Sequence, residues 1–134
     1  MIPTSRMSKY KNRVCYYDGM KFDSEYERDY WIHLKREEAE GRITGLRRQV
    51  PYELIPEVWG ERVKHLKTKD KVVRYQVQRA TNYYADFVYT DADGKEVVVD
   101  TKSAYTRKLA DYCLKKKMML AFKGIAITEV VLKR

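Results

Sequence analysis

The sequence predicts a mixed α/β fold in which helices pack on one antiparallel-rich sheet. Three observations predict it. A capped stretch with helical apolar spacing precedes the strand-like segments. Two of those segments flank a strong hairpin turn, and a second helical stretch with one last strand ends the sequence. The 134 residues leave room for one domain with one core, and neither an internal repeat nor a composition shift divides residues 1–134.

Residues 1–21 form a basic, aromatic lead-in that ends in the turn Asp18-Gly19. The first helix follows. Ser24 with Glu27 three residues on is a capping-box pattern, Tyr30, Trp31 and Leu34 share one apolar stripe, and Gly41 after Glu40 is a natural stop. Residues 50–58 alternate loosely, with Pro51 suggesting an edge strand. Residues 72–78 read as a strand after the lysine-rich turn at 67–71. Residues 83–90 and 96–101, joined by Asp91-Ala92-Asp93-Gly94, are the clearest hairpin, with Gly94 free to take a positive φ. A second helix over 107–122 and a strand over 125–132 complete the order.

Composition narrows the function classes. At 44% hydrophobic and 35% charged the chain is not a disordered tail. Its 28 Lys and Arg against 19 Asp and Glu give a formal charge of +9, which points to a polyanionic partner, nucleic acid first, with solubility as the plainer explanation. The apolar runs at 118–122 and 124–127 fall far short of the roughly 20 residues that cross a bilayer, so no membrane association is expected. The opening residues have no apolar signal region, and Cys15 and Cys113 are the only cysteines, so a reduced, intracellular protein is expected. His33 and His65 lie too far apart to form a familiar zinc pattern with those cysteines. Any metal must be held by carboxylates.

The hairpin carries the chemistry. If its loop is Ala92-Asp93-Gly94, then Asp91 pairs with Lys95 and Asp86 sits directly opposite Asp100, with Cβ atoms about 5 Å apart. A two-residue turn makes that pairing diagonal instead. Two facing carboxylates repel unless something cancels them, and hard Mg²⁺ does so while keeping waters and a phosphate as further ligands. Lys102 follows Asp100 by two residues and rises from the same face, where an ammonium can hold a water or stabilise charge on a phosphate. The alternative is a solvated sheet face, against which the unbroken apolar run Val97-Val98-Val99 argues. Glu27 falls within the apolar stripe of the first helix, where an unpaired carboxylate is costly. It is also the third residue of the capping box, a competing role, and Glu25 is the fallback, pointing away from the stripe.

These residues resemble a known family. Glu27, Ala85-Asp86 and Asp100-Thr101-Lys102 resemble the PD-(D/E)XK nuclease superfamily, and the wider chain, from about residue 9 to 132, resembles a group of small phage-encoded members. The supporting stretches are Tyr16-Tyr17-Asp18-Gly19-Met20-Lys21-Phe22-Asp23-Ser24, Tyr84-Ala85-Asp86-Phe87-Val88-Tyr89, Val98-Val99-Asp100-Thr101-Lys102 and Leu114-Lys115-Lys116-Lys117. Ala85 replaces the proline of the motif's name, a position without chemistry. Asp100 stands where Glu is commoner, which brings a cation nearer the strand.

The resemblance implies a restriction-endonuclease-like core of order αβββαβ. It implies that Glu27, Asp86 and Asp100 hold one or two Mg²⁺, with Mn²⁺ expected to substitute and the backbone carbonyl of Thr101 as an extra ligand. Lys102 would position the attacking water in phosphodiester hydrolysis that leaves a 5′-phosphate. Basic residues cluster in the lead-in (Arg6, Lys9, Lys11, Arg13), at Arg47-Arg48, over residues 64–79, and at Arg107, Lys108, Lys115, Lys116 and Lys117. Tyr10, Tyr16, Tyr17 and Tyr105 are candidates for stacking on unpaired bases. No helix-turn-helix or zinc-finger signature is present, so shape-selective recognition is expected. Small members of the superfamily include homodimeric resolvases of branched, four-way DNA junctions, and a two-fold substrate favours a two-fold enzyme. The expectation is therefore a phage-type Holliday junction resolvase acting as a homodimer, in the host cytoplasm if phage-encoded. The alternatives are a general or flap-cutting endonuclease, a non-catalytic DNA-binding accessory protein and, disfavoured by the short chain, a restriction-type enzyme.

Overall fold

The structure, a computed structural model, describes residues 13–102 and 106–131. Strands β1 (Cys15–Tyr17) and β2 (Met20–Phe22) pair around Asp18 and Gly19, whose φ values of 53° and 77° suit the primed two-residue turn that a twisted hairpin requires. Helix α1 (Glu25–Ala39) starts at Ser24, whose hydroxyl accepts the Glu27 N–H at 3.1 Å. Its inner face buries Glu27, Trp31 and Leu34. Strands β3 (Thr44–Ile55), β4 (Val58–His65), β5 (Asp70–Gln78), β6 (Thr81–Thr90) and β7 (Glu96–Lys102) follow. A 3₁₀ turn (Thr106–Lys108) leads into helix α2 (Ala110–Lys123) and strand β8 (Thr128–Val131).

The central sheet has the order β3-β6-β7-β8, antiparallel except for the parallel pair β7–β8, which needs α2 as its crossover. The elements α1, β3, β6, β7, α2 and β8 give the expected αβββαβ order, with the separate hairpin β4–β5 inserted between β3 and β6. Pro51 lies on β3, an edge strand, where its missing N–H removes no ladder bond.

Some boundaries differ from the sequence reading. The alternation over 50–58 covers parts of two strands, because Pro56-Glu57 separates β3 from β4 and Val58 opens β4. β4 has no predictive periodicity because nearly all of it meets solvent. The second helix starts at Ala110, residues 106–108 forming the tighter turn before it. Lead-in residues Arg6, Lys9, Tyr10 and Lys11 lie outside the described residues, as do Tyr105 and Leu132. No described helix is long and apolar enough to cross a membrane.

Each face of the sheet has its own core. Tyr112 and Met119 of α2 pack with Leu54, Tyr83, Ala85, Val88, Val98 and Ile127. Trp31 and Leu34 of α1 pack with Phe22, Ile43, Phe87 and Val99. Strict alternation keeps residues of like parity on one face, yet β6 departs from it: Ala85 joins the α2 core and Phe87 the α1 core. β3 changes phase at the same level, since Leu46 packs on the α1 side and Val50, Tyr52 and Leu54 on the α2 side. The ladder passes from Arg48↔Phe87 to Val50↔Ala85, leaving Gln49 and Asp86 between. Gln49 has φ 54°, a left-handed conformation that costs a non-glycine residue about 1–2 kcal/mol. The two strands swivel together at this one level, and the candidate site lies there.

Candidate active site

The hairpin register is the one that a three-residue loop requires. Asp91 N–H bonds to the Lys95 carbonyl at 2.9 Å, and Gly94 N–H to the Asp91 carbonyl at 3.0 Å. Pairs from Thr90↔Glu96 to Phe87↔Val99 follow. The next pair in that register is Asp86 and Asp100, but the ladder stops one step short of it. Asp86 uses its side chain instead: Oδ2 accepts the Thr101 N–H at 2.9 Å and the Thr101 hydroxyl at 2.8 Å. The strands part where the acidic pair begins, and a carboxylate replaces the missing carbonyl. Thr101 thus meets Asp86 through its N–H and hydroxyl, and pairs with Val130 across β7–β8.

Asp100 is 1% exposed. Its Oδ2 accepts the Tyr83 hydroxyl, and its Oδ1 lies 3.0 Å from Lys102 Nζ. This buried oxygen meets the ammonium as an ion pair and is otherwise without a hydrogen-bond partner among the described residues. Desolvation, followed by repulsion from Asp86, pushes the Asp100 carboxyl up to about 6 despite Lys102 and Tyr83. The same burial, with the Asp100 charge next, pushes the Tyr83 phenol far up, so Tyr83 stays a donor. Lys102 Nζ also sits 4.7 Å from the ring centre of Tyr112, a cation–π contact. Tyr112 donates to Glu129 at 2.6 Å, and Lys116 Nζ lies 3.3 Å from that carboxylate. Asp100 and Glu129 are partners across β7–β8, so this chain of contacts links the site to α2 and β8.

Glu27 enters from α1 and is 4% exposed. Its Oε1 accepts the Asp23 N–H at 3.0 Å, one residue upstream of the Ser24 N–H that a capping box uses. Its Oε2 accepts Gln49 Nε2 at 3.2 Å, and the same nitrogen is 3.4 Å from Asp86 Oδ1. One amide therefore joins Glu27 to Asp86, and the exposed side of Gln49 opens this junction to solvent. Desolvation first, and the Asp86 charge second, push the Glu27 carboxyl up to about 7. Glu25 is half-exposed at the helix start, 3.9 Å from Arg13, and takes no part.

The predicted residues are linked in a chain and do not converge on one point: Gln49 joins Glu27 to Asp86, Thr101 joins Asp86 to β7, and Asp100 pairs with Lys102 on the α2 side. Among the described residues, Lys102 is the ammonium paired with these carboxylates. The predicted DNA-binding residues are more dispersed. Arg13, Arg107, Lys108 and Lys117 are exposed, Lys115 is partly covered, and Lys116 is paired with Glu129.

A family model matches residues 7–133. The chain belongs to the DUF1064 family, described as proteins of unknown function. No curated protein and no solved structure matches it.

Three residues of this DUF1064 site were not singled out in the sequence: Gln49, Tyr83 and Tyr112. Gln49 gave no signal, because a left-handed glutamine inside a strand is visible only in the backbone. Tyr83 gave none either: in the hairpin register an odd residue of β6 and an even residue of β7 face opposite sides, and Tyr83 reaches Asp100 because β6 changes phase between Ala85 and Phe87. Among the described residues of the DUF1064 chain, no three Asp, Glu, His or Cys side chains form a ready-made metal cage. That does not conflict with the habits of Mg²⁺, which uses one or two carboxylates and fills its shell with water and phosphate.

Proposed function

We propose that this protein is a Mg²⁺-dependent DNA endonuclease of the PD-(D/E)XK type, selective for branched DNA, with the four-way junction as the substrate and a homodimer as the working form. The observation that carries the reading is the Asp100–Lys102 pair at the end of β7, joined to Asp86 through Thr101 and onward to Glu27 through Gln49. The donor set fits a hard divalent cation. Three carboxylates exceed one ammonium, Asp100 Oδ1 is buried without a hydrogen bond, and burial raises both Glu27 and Asp100. Each of these is the mark of negative charge that the surrounding groups do not fully offset.

Glu27, Asp86 and Asp100 would hold the ion, which when bound supplies an acidified water and screens the phosphate charge. Tyr83 fixes one Asp100 oxygen and leaves Oδ1 facing the Lys102 ammonium. Asp100 and the Tyr112 ring hold the Lys102 ammonium on the side of the sheet covered by α2, from which it donates a proton to orient a water or to a phosphoryl oxygen. Gln49 keeps Glu27 and Asp86 facing each other.

The test is cleavage of labelled four-way junction, flap and linear duplex side by side, in Mg²⁺ and in EDTA, with Lys102→Ala as control. Paired symmetric nicks in the junction alone, lost in EDTA and in the variant, support the full reading. Cutting of all three substrates reduces it to a general endonuclease with the same site. A second reading, a non-catalytic DNA-binding accessory, is favoured by the lack of a converged carboxylate trio among the described residues. Tight binding with no cutting in Mg²⁺ or Mn²⁺ would select it.

A further inference from the structure

Among the described residues the hairpin β4–β5 pairs with no other strand, and all its strand residues except Gly60 and Val73 are exposed. Eight residues at about 3.3 Å each make it an arm about 26 Å long. Its register sorts its charges. Trp59↔Gln76, Glu61↔Arg74, Val63↔Val72 and His65↔Asp70 share one face, on which His65 lies 2.8 Å from Asp70 and Glu61 stands opposite Arg74. Gly60↔Tyr75, Arg62↔Val73 and Lys64↔Lys71 share the other, which carries cations and no acid. Lys67 and Lys69 extend the cationic character to the tip. One face is balanced and the other is purely basic.

The root of the arm lies at the site's end of the sheet. The arm leaves the sheet where β3 ends and β6 begins, and β7 runs antiparallel to β6, so the Lys102 end of β7 lies at the root of the arm. Asp86 lies five residues into β6 from Thr81, about 17 Å along the strand.

We infer that the Arg62, Lys64 and Lys71 face of this arm grips the sugar-phosphate walls of duplex DNA beside the active site. The inference deepens the nuclease reading and rests on it for the choice of DNA as the polyanion. A two-stranded ribbon fits the major groove, which is about 12 Å wide. The arm's aromatic rings argue for duplex over single strand. The Arg74 guanidinium covers Trp59 at 4.4 Å, Arg62 lies 5.4 Å from the Tyr75 ring, and Tyr75 also packs on Gly60, so neither ring is a bare platform for an unpaired base. Lysines along both strands oppose edge-to-edge pairing with a second copy. Gly60 makes the Tyr75 contact possible, since a Cβ there would lie 3.2 Å from the ring.

The experiment is a salt titration of binding to a 30-base-pair duplex and to one of its strands. It is run in EDTA, so that cleavage plays no part. The proteins are wild type, the triple variant Arg62→Ser/Lys64→Ser/Lys71→Ser, and the opposite-face control Val63→Thr/Val72→Thr, with melting curves showing that all are folded. Each lost phosphate contact lowers the slope of log K against log salt by about 0.9. The triple variant should therefore lose between about 2 and 3 of that slope and at least about tenfold in affinity near 0.1 M salt, with the control unchanged. This result supports the inference even if no DNA is cut in Mg²⁺, which would remove the nuclease reading alone. An unchanged slope overturns it while leaving cleavage free to stand. So would tighter capture of the single strand by the same face, absence of DNA binding by wild type, or a change in self-association in place of the slope.

Discussion

The chain contains two long antiparallel hairpins that put the same residue types to opposite uses. In β6–β7, Phe87, Val88 and Val99 are fully buried, and Asp100 is buried with them. In β4–β5, Val63 and Val72 face each other at 54% and 62% exposed, and the charges around them stand in water. The difference teaches where charge carries chemistry. An exposed lysine on the arm stays hydrated and costs little to keep. Asp100 sits where an ionised carboxylate is disfavoured by its surroundings, and its position persists against that cost.

The contrast can be tested, beginning with the largest expected effect. Lys102→Ala and Asp100→Asn should each lower junction cleavage by about 10²–10⁴-fold, in the range of a lost proton-handling or charge-stabilising group, measured as single-turnover rates in Mg²⁺. Asp100→Asn should bind DNA as well as wild type or better, since it removes a negative charge near phosphate. A protein that no longer binds or folds would count against the assignment.

The packing contrast comes next. Phe87→Ala should cost about 3–5 kcal/mol in urea denaturation, because the ring is fully enclosed between α1 and the sheet. Val72→Ala on the arm should cost less than about 0.5 kcal/mol. A comparable loss from both would mean that the arm is packed against something.

A smaller effect probes the swivel at Gln49. Gln49→Ala keeps the left-handed backbone and removes the donor shared by Glu27 and Asp86, for a loss of about 1 kcal/mol. Gln49→Gly removes the same amide but takes a positive φ without strain, so it should be the more stable of the two. Strands ordinarily rank alanine above glycine, and that ordinary ranking here would dismiss strain at this position.

The last concerns pH. Folding raises Glu27 to about 7 and Asp100 to about 6, so between about pH 4 and pH 7 the native state holds protons that the unfolded chain has released. At these two carboxyls native proton uptake exceeds that of the unfolded state in this window, so their contribution to the stability of the metal-free protein falls as pH rises through it. Glu38 and Glu129, whose carboxyls are lowered, contribute in the opposite direction. Glu27→Gln should flatten the upper part of that fall in a series of thermal melts. Mg²⁺ added at pH 7.5 should raise the midpoint of wild type, and a midpoint indifferent to the ion would argue against a cation at these carboxylates.

Much of the site was legible without coordinates. Ser24, the Glu27 spacing and the Asp91-Ala92-Asp93-Gly94 turn are local signals, each read from a few neighbouring residues. The turn set the register, which holds from Thr90↔Glu96 to Phe87↔Val99 and ends one step before Asp86 and Asp100. Parity along β7 placed Lys102 beside Asp100, and 3.0 Å separates their charged atoms. Less was legible where periodicity fails. β4 has no buried face to generate a pattern, and the start of β3 at Thr44 depends on its pairing with Thr90, 46 residues away.

The sequence by itself determined the order of a first helix, antiparallel strands, a second helix and a last strand, the hairpin register and the identity of the acidic and basic groups, because capping, turn chemistry and side-chain period act over a few residues. Only the tertiary structure decided that β3 and β6 change phase together at Gln49 and Asp86, that Tyr83 and Tyr112 flank the Asp100–Lys102 pair, and that the arm separates its charges onto two faces. Those outcomes depend on which distant segments pack against each other, and burial, the quantity that turns a carboxylate from decoration into a strained group, is a property of the packed whole.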